Sequence, residues 1–487
     1  MRGRQVLGDA TLSIYKRVAS KDHSDDYSVD GRLQGSGREG GNPPWSKSLP
    51  HVIVATIASF LFGYHLGVVN DTLESISIDL GFHGNTMAEG LVVSMSLGGA
   101  FIGSLFSGSI ADYFGRKRSF QLGALSMIIG ASMSAATSSL TGMLIGRFFV
   151  GIGMGLGPAV AALYVAEVSP TYVRGTYGSF TQIAACLGLM GSFVIGMPAK
   201  ESKDWWRVCF WVSVIPAALL ALSIELCAES PHWLFKKGRS IEAEVEFERL
   251  LGGLHVKSAI SELSKLDRGE EADSVKFSEL FHGRHFKVVF IGSVLFALQQ
   301  LSGINAVFYF SSSVFKSAGV PSNTANMFVA VVNLSGSCTA TILMDKLGRR
   351  VLLLGSFLGM AMSLGLQIVA ASSFVSPVAS VYLSVGGVLL VVLTFSLGAG
   401  PVPSLLLSEM FPNRIRAKAM AWCMAVHWGV NFFVGLLFLR LLEQLGPKLL
   451  YTFFATCCLI GFAFTKKNVL ETKGKSLQEI ELALLPA

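Results

Sequence analysis

The chain has 487 residues, of which 51% are hydrophobic and only 15% are charged, and its mean hydropathy is +0.55. This composition excludes a soluble globular protein and predicts a chain that crosses a membrane several times. The net charge of +7 does not indicate nucleic-acid binding, because the basic residues lie in short loops beside apolar segments, where they orient helices in the bilayer. The seven cysteines have no C-x-x-C spacing and predict neither a disulfide framework nor a metal site.

The first 48 residues are polar and rich in glycine and serine, with eight basic and six acidic side chains. This composition predicts a disordered N-terminal tail. A targeting signal in the tail stays open, because four aspartates between residues 22 and 30 conflict with the acid-poor composition of transit peptides. No cleavable secretory signal is expected, since the first apolar run begins near His51 and is long enough to span a membrane.

Twelve apolar runs follow, each about 20 residues or longer, which is enough for a helix to cross roughly 30 Å of hydrocarbon. They lie near residues 51–72, 87–111, 119–138, 141–165, 176–198, 206–227, 287–311, 323–344, 350–372, 379–407, 418–440 and 447–465. Six precede a polar stretch and six follow it. The predicted domains are a tail (1–48), a six-helix half (49–227), an intracellular helical linker (228–285), a second six-helix half (286–465) and a C-terminal tail (466–487).

The linker contains one clear helical pattern. Residues 240–251 combine apolar residues at helical spacing with four glutamates, which predicts a short soluble helix with an acidic face. Basic residues are concentrated in the linker and in alternate loops, whereas the intervening loops carry few of them. The linker and both termini are therefore expected on the cytoplasmic side.

An internal repeat supports two related halves. Residues 112–117, Asp-Tyr-Phe-Gly-Arg-Lys, recur at 345–350 as Asp-Lys-Leu-Gly-Arg-Arg, after the second run of each half. Residues 167–174 and 409–416 share Glu-x-x-Pro followed by an arginine at the same spacing. Duplicated six-helix halves are typical of carriers that rock about a central binding site.

A group of polar side chains interrupts the seventh run. Gln299, Gln300, Ser302 and Asn305 lie within seven residues of otherwise apolar sequence. Amides carry donors and acceptors without charge, so the group suits a neutral, hydroxyl-rich ligand better than an ion. A single such residue more often fastens helices together, but four of them beside Gly303, which permits close backbone approach, favour a ligand site.

Other patterns are discounted. The glycines at 151, 153, 155 and 157 resemble a nucleotide-binding loop, but they lie inside the fourth run without a preceding strand, which favours helix packing. Asn70 and Asn333 match a glycosylation pattern at a helix end and in mid-membrane, where neither is a strong acceptor. No nucleophile–base–acid arrangement is present in the sequence, so we expect neither an enzyme nor a cofactor.

Taken together, the motifs resemble those of the sugar porters of the major facilitator superfamily over nearly all of residues 50–480. The resemblance implies an all-α membrane protein of the major facilitator fold, with twelve transmembrane helices in two six-helix halves and a cytoplasmic-side helical linker. Residues 62–70 are most similar to plant plastidic glucose transporters, which implies the plastid envelope, with the Golgi, another endomembrane or the plasma membrane as alternatives. The motifs are Asp-x-x-Gly-Arg-Lys/Arg in both halves, Gly146-Arg147, Tyr164-x-x-Glu167, Arg174-Gly175, Glu229-Ser-Pro, Gln299-Gln-x-x-Gly-x-Asn305, Gly398-x-Gly-Pro-x-Pro403 and Glu471-Thr-Lys-Gly.

The resemblance also implies the residues that contact a hexose. A sugar needs paired donors and acceptors for its hydroxyls, and an indole can cover the apolar face of a pyranose. Ser404 and His427 depart from the family, since many relatives carry tryptophan at the first position and some carry asparagine at the second. The implied substrate-binding residues are Gln182, Gln299, Gln300, Asn305, Asn333, Gly400 and Trp428.

A second implied set consists of charged residues at the cytoplasmic helix ends, where similar proteins hold a salt-bridge latch that closes the inner gate. Simple topological anchoring is the alternative, because exposed ion pairs contribute only about 0–1 kcal/mol. The symmetric duplication favours the latch, which must stabilise one state more than the other. The implied gating residues are Asp112, Arg116, Glu167, Arg174, Asp345, Arg349, Glu409 and Arg416.

We therefore expect a monomeric carrier in the lipid bilayer that transports glucose or a related hexose by alternating access. Proton-coupled relatives carry an aspartate where this chain has His65, so passive transport is expected, with His65 as the possible coupling position. A proton-coupled symporter and a transport-dead sugar sensor are the alternatives. Both sets of gate charges are present and the tails are short, which favours a carrier over a sensor.

Overall fold

The computed structural model describes residues 43–199, 204–270, 277–281, 285–317, 319, 321–372, 375–412, 415–473, 475 and 479. The predicted N-terminal tail lies outside the described residues up to position 42, as does most of the C-terminal tail beyond position 473. The described residues are almost entirely helical, with no β-strand among them.

Among the described residues, six long helices precede the linker, and each contains most of one predicted apolar run. The first helix begins at Trp45, inside the predicted tail, because Pro44 is its N-cap and Tyr177 donates a hydrogen bond to the Trp45 carbonyl at 2.8 Å. The helices are α1 (Trp45–Asp79), α2 (Thr86–Phe114), α3 (Arg116–Ala136), α4 (Leu140–Val168), α5 (Arg174–Ala199) and α6 (Trp205–Ser223).

The linker contains α7 (Pro231–Lys236), α8 (Ser240–Leu251) and α9 (Gly253–Glu270). The helix predicted at residues 240–251 is confirmed. It buries Ala243, Phe247 and Leu250, which recur at helical spacing on one face, and leaves its acidic residues on the other faces.

Two of the membrane-spanning segments after the linker are interrupted. The seventh run is broken at Gly303, whose φ of +81° suits glycine, and the tenth contains a π-helical turn at Phe395–Ala399. The helices are α10 (Phe286–Leu301), α11 (Ile304–Ser317), α12 (Ser322–Leu347), α13 (Arg349–Ala370), α14 (Pro377–Thr394), α15 (Val402–Met410) and α16 (Arg416–Asn468).

The described residues contain 11 helical segments long and apolar enough to cross a membrane. The last of these, within α16, is bent at Gly446, whose φ is +75°, and comprises two helices. This bend accounts for the eleventh and twelfth predicted runs. We refer below to α1–α6 as the first half and to α10–α16 as the second half, but the two-domain division stays a prediction, since the residues from Pro43 onward pack as one compact unit.

The glycine-rich segment of α4 packs against neighbouring helices. A side chain added at Gly151 or Gly155 would collide with backbone carbonyls of α2, and one added at Gly153 would lie 2.6 Å from the Gly123 carbonyl of α3. The interpretation of this segment as a packing surface is therefore confirmed.

Candidate functional site

The break in the seventh span brings the predicted amides together. The turn at Gly303 separates α10 from α11, and across it the Asn305 side-chain nitrogen donates to Gln300 Oε1. Gln300 Nε2 in turn donates to Gln299 Oε1 at 3.2 Å and lies 2.9 Å from His427 Nδ1 on α16. Three of the predicted sugar-binding residues thus form one hydrogen-bonded chain.

The π-helical turn supplies the next link in that chain. Gln299 Nε2 donates to the carbonyls of Ala399 at 2.5 Å and Gly400 at 3.3 Å. The Ala399 carbonyl has no helical partner four residues later, because Pro403 lacks an N–H group. The proline-rich sequence therefore leaves a backbone acceptor for Gln299, and Gly400 contributes to the site through its backbone.

These contacts decide what the amides can offer a ligand. The carbonyls of Ala399 and Gly400 take both N–H groups of Gln299, and Gln300 donates to Gln299 Oε1. His427 Nδ1 lies 2.9 Å from Gln300 Nε2 and 3.2 Å from Gln299 Oε1, so it accepts from the first or donates to the second. The second lone pair of Gln300 Oε1 and the remaining groups of Asn305 are left for a ligand, and these uncharged groups suit sugar hydroxyls.

Trp428 borders this group with its indole ring. The ring centre lies 4.9 Å from that of His427 and 6.0 Å from that of Phe62 on α1, both in edge-to-face geometry. Trp428 is 4% exposed, and its Nε1 has no hydrogen-bond partner among the described residues. The indole therefore keeps an N–H donor that a ligand could satisfy.

Gln182 and Asn333 form a second group. Asn333 is buried on α12, donates from Nδ2 to Cys186 Sγ at 3.5 Å and accepts from Ser396 Oγ at 2.7 Å. Gln182 is exposed on α5, with its Nε2 3.9 Å from the same sulfur. Ser396 belongs to the same π-helical turn as Ala399, so this turn connects the two groups.

A family model described as "Sugar (and other) transporter" matches residues 51–484. The chain belongs to the sugar transporter family. It is 66% identical over 489 residues to "Probable plastidic glucose transporter 3" of Arabidopsis thaliana, with 100% of this chain and 97% of that protein covered. It is 45% identical over 440 residues to "Plastidic glucose transporter 4" of the same plant, with 90% and 80% covered.

Solved structures agree on the fold. The proton:xylose symporter XylE bound to 6-bromo-6-deoxy-D-glucose superposes with a TM-score of 0.77 at 29% identity, over 90% of this chain and 99% of that chain. The inward-open xylose transporter XylE from E. coli also gives 0.77, at 28% identity, over 90% and 100% of the two chains. The predicted major facilitator fold is confirmed, and the transporter is a multi-pass integral membrane protein and not an enzyme.

His65 of the transporter lies beside a buried cation. Its ring is fully buried and neither nitrogen has a hydrogen-bond partner among the described residues. Arg147 on α4 is 2% exposed, donates to Ser96 Oγ at 2.9 Å and reaches the His65 carbonyl at 3.5 Å. Within the described part of the chain no carboxylate pairs with Arg147. In the sequence, Arg147 stands out only as part of the Gly146-Arg147 motif, and nothing there predicts its contact with His65.

Ser404 follows Gly400 by about one turn. Its side chain is exposed, and its hydroxyl donates to the Pro401 carbonyl at 3.3 Å. A larger residue could therefore be accommodated at this position without displacing a buried neighbour.

The predicted gate charges of the first half meet within that half. Arg116 donates to both oxygens of Glu167, at 2.8 and 2.7 Å, and lies 3.4 Å from Asp112. Arg174 is exposed at the start of α5, and its side chain and Glu167 line the same cavity beside the linker helices. These contacts lie on the linker side of the membrane and do not bridge the two halves.

The second half repeats the arrangement. Arg349 donates to Glu409 at 3.1 Å, and Thr472 donates to the other oxygen of Glu409 at 2.6 Å. Arg416 donates to the Phe411 carbonyl at 3.2 Å. Asp345 lies on α12, but its side chain falls outside the described part of the structure. The latch function of these eight residues stays a prediction.

Two carboxylates whose role the sequence analysis missed complete this symmetry. Glu229 accepts the backbone N–H groups of Arg116 and Lys117 at the start of α3, at 3.1 and 3.2 Å. Glu471 accepts those of Arg349 and Arg350 at the start of α13, both at 3.0 Å. Each carboxylate therefore caps a helix N-terminus. Glu229 and Glu471 are 242 residues apart, the same separation as Glu167 and Glu409, and this spacing was the signal that could have found them.

The environments of the two caps differ. Burial raises the pKa of Glu229 above its ordinary value and outweighs the backbone N–H donors around it. Burial also acts to raise the pKa of Glu471, but four backbone N–H donors outweigh it and lower that pKa.

A buried polar contact joins the halves on the side of the membrane opposite the linker. Asn70 near the end of α1 donates to Ser311 Oγ at 2.7 Å and accepts from the Ser312 N–H at 3.0 Å. Ser311 in turn donates to Asn326 Oδ1 at 2.8 Å. All three side chains of this opposite-side contact, Asn70, Ser311 and Asn326, are less than 5% exposed. From the sequence alone, Asn70 was not expected to join the halves.

Proposed function

We propose that the transporter carries glucose or a related neutral hexose by facilitated diffusion and alternating access, acting as a monomer. The observation that carries this proposal is the uncharged chain Asn305–Gln300–Gln299, ordered by the π-helical turn and by His427. An uncharged set of amide groups beside an indole suits a polyhydroxylated, neutral ring and offers nothing to balance an ionic substrate. The names of the relatives, plastidic glucose transporters, support glucose and the plastid envelope.

The passive mechanism is supported by His65 and Arg147. A proton taken up by His65 would place a second positive charge beside a buried guanidinium that lacks a carboxylate partner among the described residues. Burying unpaired charge in a membrane is costly, so this pair is poorly suited to a proton-binding step.

Alternating access is supported by the position of the contacts between halves. The opposite-side contact is closed by buried hydrogen bonds, and Lys316 pairs with Glu74 nearby. On the linker side, the charged groups pair within each half. We infer that the structure represents a state closed on the side opposite the linker.

Proton-coupled symport is the second candidate, because a solved relative is described as a proton:xylose symporter and His65 is itself titratable. Flux of labelled glucose into proteoliposomes, with and without an imposed pH gradient, tests both candidates. We expect saturable uptake that stops when the internal and external glucose concentrations are equal and that does not depend on the pH gradient. Accumulation that a protonophore abolishes would establish symport, and absence of any sugar flux would refute the carrier function.

A further inference from the structure

A polar contact joins the two halves in mid-membrane, and at its centre lies Cys186, a residue outside the predicted sugar site. Cys186 on α5 is 2% exposed, and its Sγ lies 3.4 Å from Ser337 Oγ on α12. Asn333 lies one turn before Ser337 and donates to the same sulfur at 3.5 Å. Gln182 lies one turn before Cys186 and approaches it at 3.9 Å. The thiol is thus the shared neighbour of two predicted sugar-binding amides, one from each half.

The chemistry of sulfur matters at this position. Among the described residues, the amide nitrogens of Gln182 and Asn333 have no acceptor other than the Cys186 sulfur. A thiol sulfur is a weak acceptor, whereas a sugar hydroxyl oxygen is a good one. An amide that leaves the sulfur for a sugar therefore gives up little and gains a stronger hydrogen bond.

We propose that Cys186 sets the affinity for sugar because its thiol competes only weakly with the substrate for Gln182 and Asn333. The thiol accepts from both amides while the site is empty and releases them when a sugar binds. This inference rests on the proposed function, because it takes the two amides as sugar contacts. A hydroxyl at position 186 would bind the amides more strongly and compete with the substrate.

Kinetics of glucose uptake in proteoliposomes test the proposal. We expect C186S to raise KM by about 2- to 10-fold with little change in kcat, because one neutral hydrogen bond must be displaced by the sugar. C186A should not raise KM, since a methyl group accepts no hydrogen bond. If Cys186 only filled space, C186A would raise KM more than C186S, because alanine removes more packing volume than serine.

A matched control is available within the second half. Cys423 on α16 is also buried, and its sulfur lies 3.9 Å from Ser293 Oγ, outside both amide groups. C423S should leave KM unchanged. Equal increases of KM in C186S and C186A, or an unchanged KM in C186S, would overturn the proposal.

A cross-link provides a second measurement that does not depend on affinity. S337C places a thiol opposite native Cys186, so oxidation with copper phenanthroline should join α5 to α12. We expect oxidised S337C to lose uptake and to recover it with dithiothreitol, whereas C186A/S337C should be unaffected. Failure to form the cross-link would refute the contact between Cys186 and Ser337, and full uptake in the cross-linked protein would show that a free Cys186 thiol is not needed.

Glucose uptake by the unaltered transporter distinguishes failure of this inference from failure of the proposed function. Absence of glucose uptake by the unaltered chain would refute the carrier function itself. Normal uptake by the unaltered chain together with an unchanged KM in C186S would refute only the role of Cys186.

Discussion

At the scale of single residues, His427 is a hydrogen-bonding partner of the amides in the candidate sugar site. Its Nδ1 lies 2.9 Å from Gln300 Nε2 and 3.2 Å from Gln299 Oε1. One tautomer of the ring therefore accepts from Gln300 and the other donates to Gln299, so the imidazole joins the amide chain in either form. The imidazole is therefore part of the site, although the sequence analysis noted it only as a departure from the family.

Removal of an amide should weaken sugar binding more than it weakens folding. We expect Q299A and N305A each to cost about 1–3 kcal/mol of binding free energy, or roughly 5- to 150-fold in affinity, because a buried sugar hydroxyl loses its partner. Glucose uptake in proteoliposomes measures the effect. Q121A is the control, since Gln121 bonds to Glu225 and the Ala221 carbonyl, outside the amide groups. Unchanged uptake in both site variants would reject the assigned site.

The charge balance around Arg147 makes a second prediction at this scale. H65D would give Arg147 the carboxylate partner that it lacks among the described residues, and a buried carboxylate can bind and release protons. We expect uptake by H65D to respond to an imposed pH gradient, whereas the neutral variant H65N should remain indifferent to it. The measurement is proteoliposome uptake at fixed internal pH and varied external pH. If uptake by neither variant responds to the pH gradient, the role given to His65 is contradicted.

At the scale of helices, the transporter relies on interruptions in its membrane spans. The break at Gly303 turns α11 so that Asn305 reaches Gln300, and the π-helical turn presents carbonyls to Gln299. A side chain at Gly303 would also lie 2.7 Å from the ring of Phe454. Irregular backbone in a membrane occurs where the chain lines a binding site, because the freed backbone groups then find partners.

The two capped helices should respond differently to pH. The pKa of Glu471 is lower in the folded state than its ordinary 4.5, so its charge stabilises the fold above about pH 4.5 and this contribution is lost as the pH falls. The pKa of Glu229 is raised, so its contribution to stability is present below about pH 4.5 and is lost as the pH rises. We expect E471Q to lower the melting temperature at pH 7 more than E229Q does.

Thermal unfolding in detergent, followed by tryptophan fluorescence between pH 7 and pH 4, measures both effects. The deficit of E471Q relative to the unaltered chain should shrink toward pH 4, where the carboxylate begins to bind a proton. Equal deficits in the two variants at pH 7 would show that the two caps contribute alike.

At the scale of the whole molecule, the opposite-side contact should control which side is open. N70A removes the hydrogen bonds that Asn70 makes to Ser311 Oγ and to the Ser312 N–H, which should destabilise the closed side by about 1–3 kcal/mol. Spin labels at exposed positions 78 and 445 would report a longer distance in N70A than in the unaltered protein. T86A is the control, because its hydrogen bond to Glu443 is exposed and should shift the distance little. Equal distances in N70A and the unaltered chain would argue against this gate.

The sequence predicts the parts of this molecule that depend on composition and spacing. Apolar length located the spans, helical spacing located α8, and uncharged polar residues in an apolar run located the amide chain. Contacts between distant segments could not be predicted, because a single sequence does not show which helices pack against each other. Cys186, the partners of Asn70 and the helix ends capped by Glu229 and Glu471 all belong to this class.

The residues that follow α16 also limit where the chain can be cut. Glu471 caps α13, Thr472 binds Glu409, and the Lys473 ammonium donates to the Lys346 carbonyl at 2.7 Å. A protein shortened to end at Leu470 would lose all three attachments at once, although every membrane span would be intact. We therefore expect a protein that ends at Leu470 to be less stable than one that retains residues 471–473.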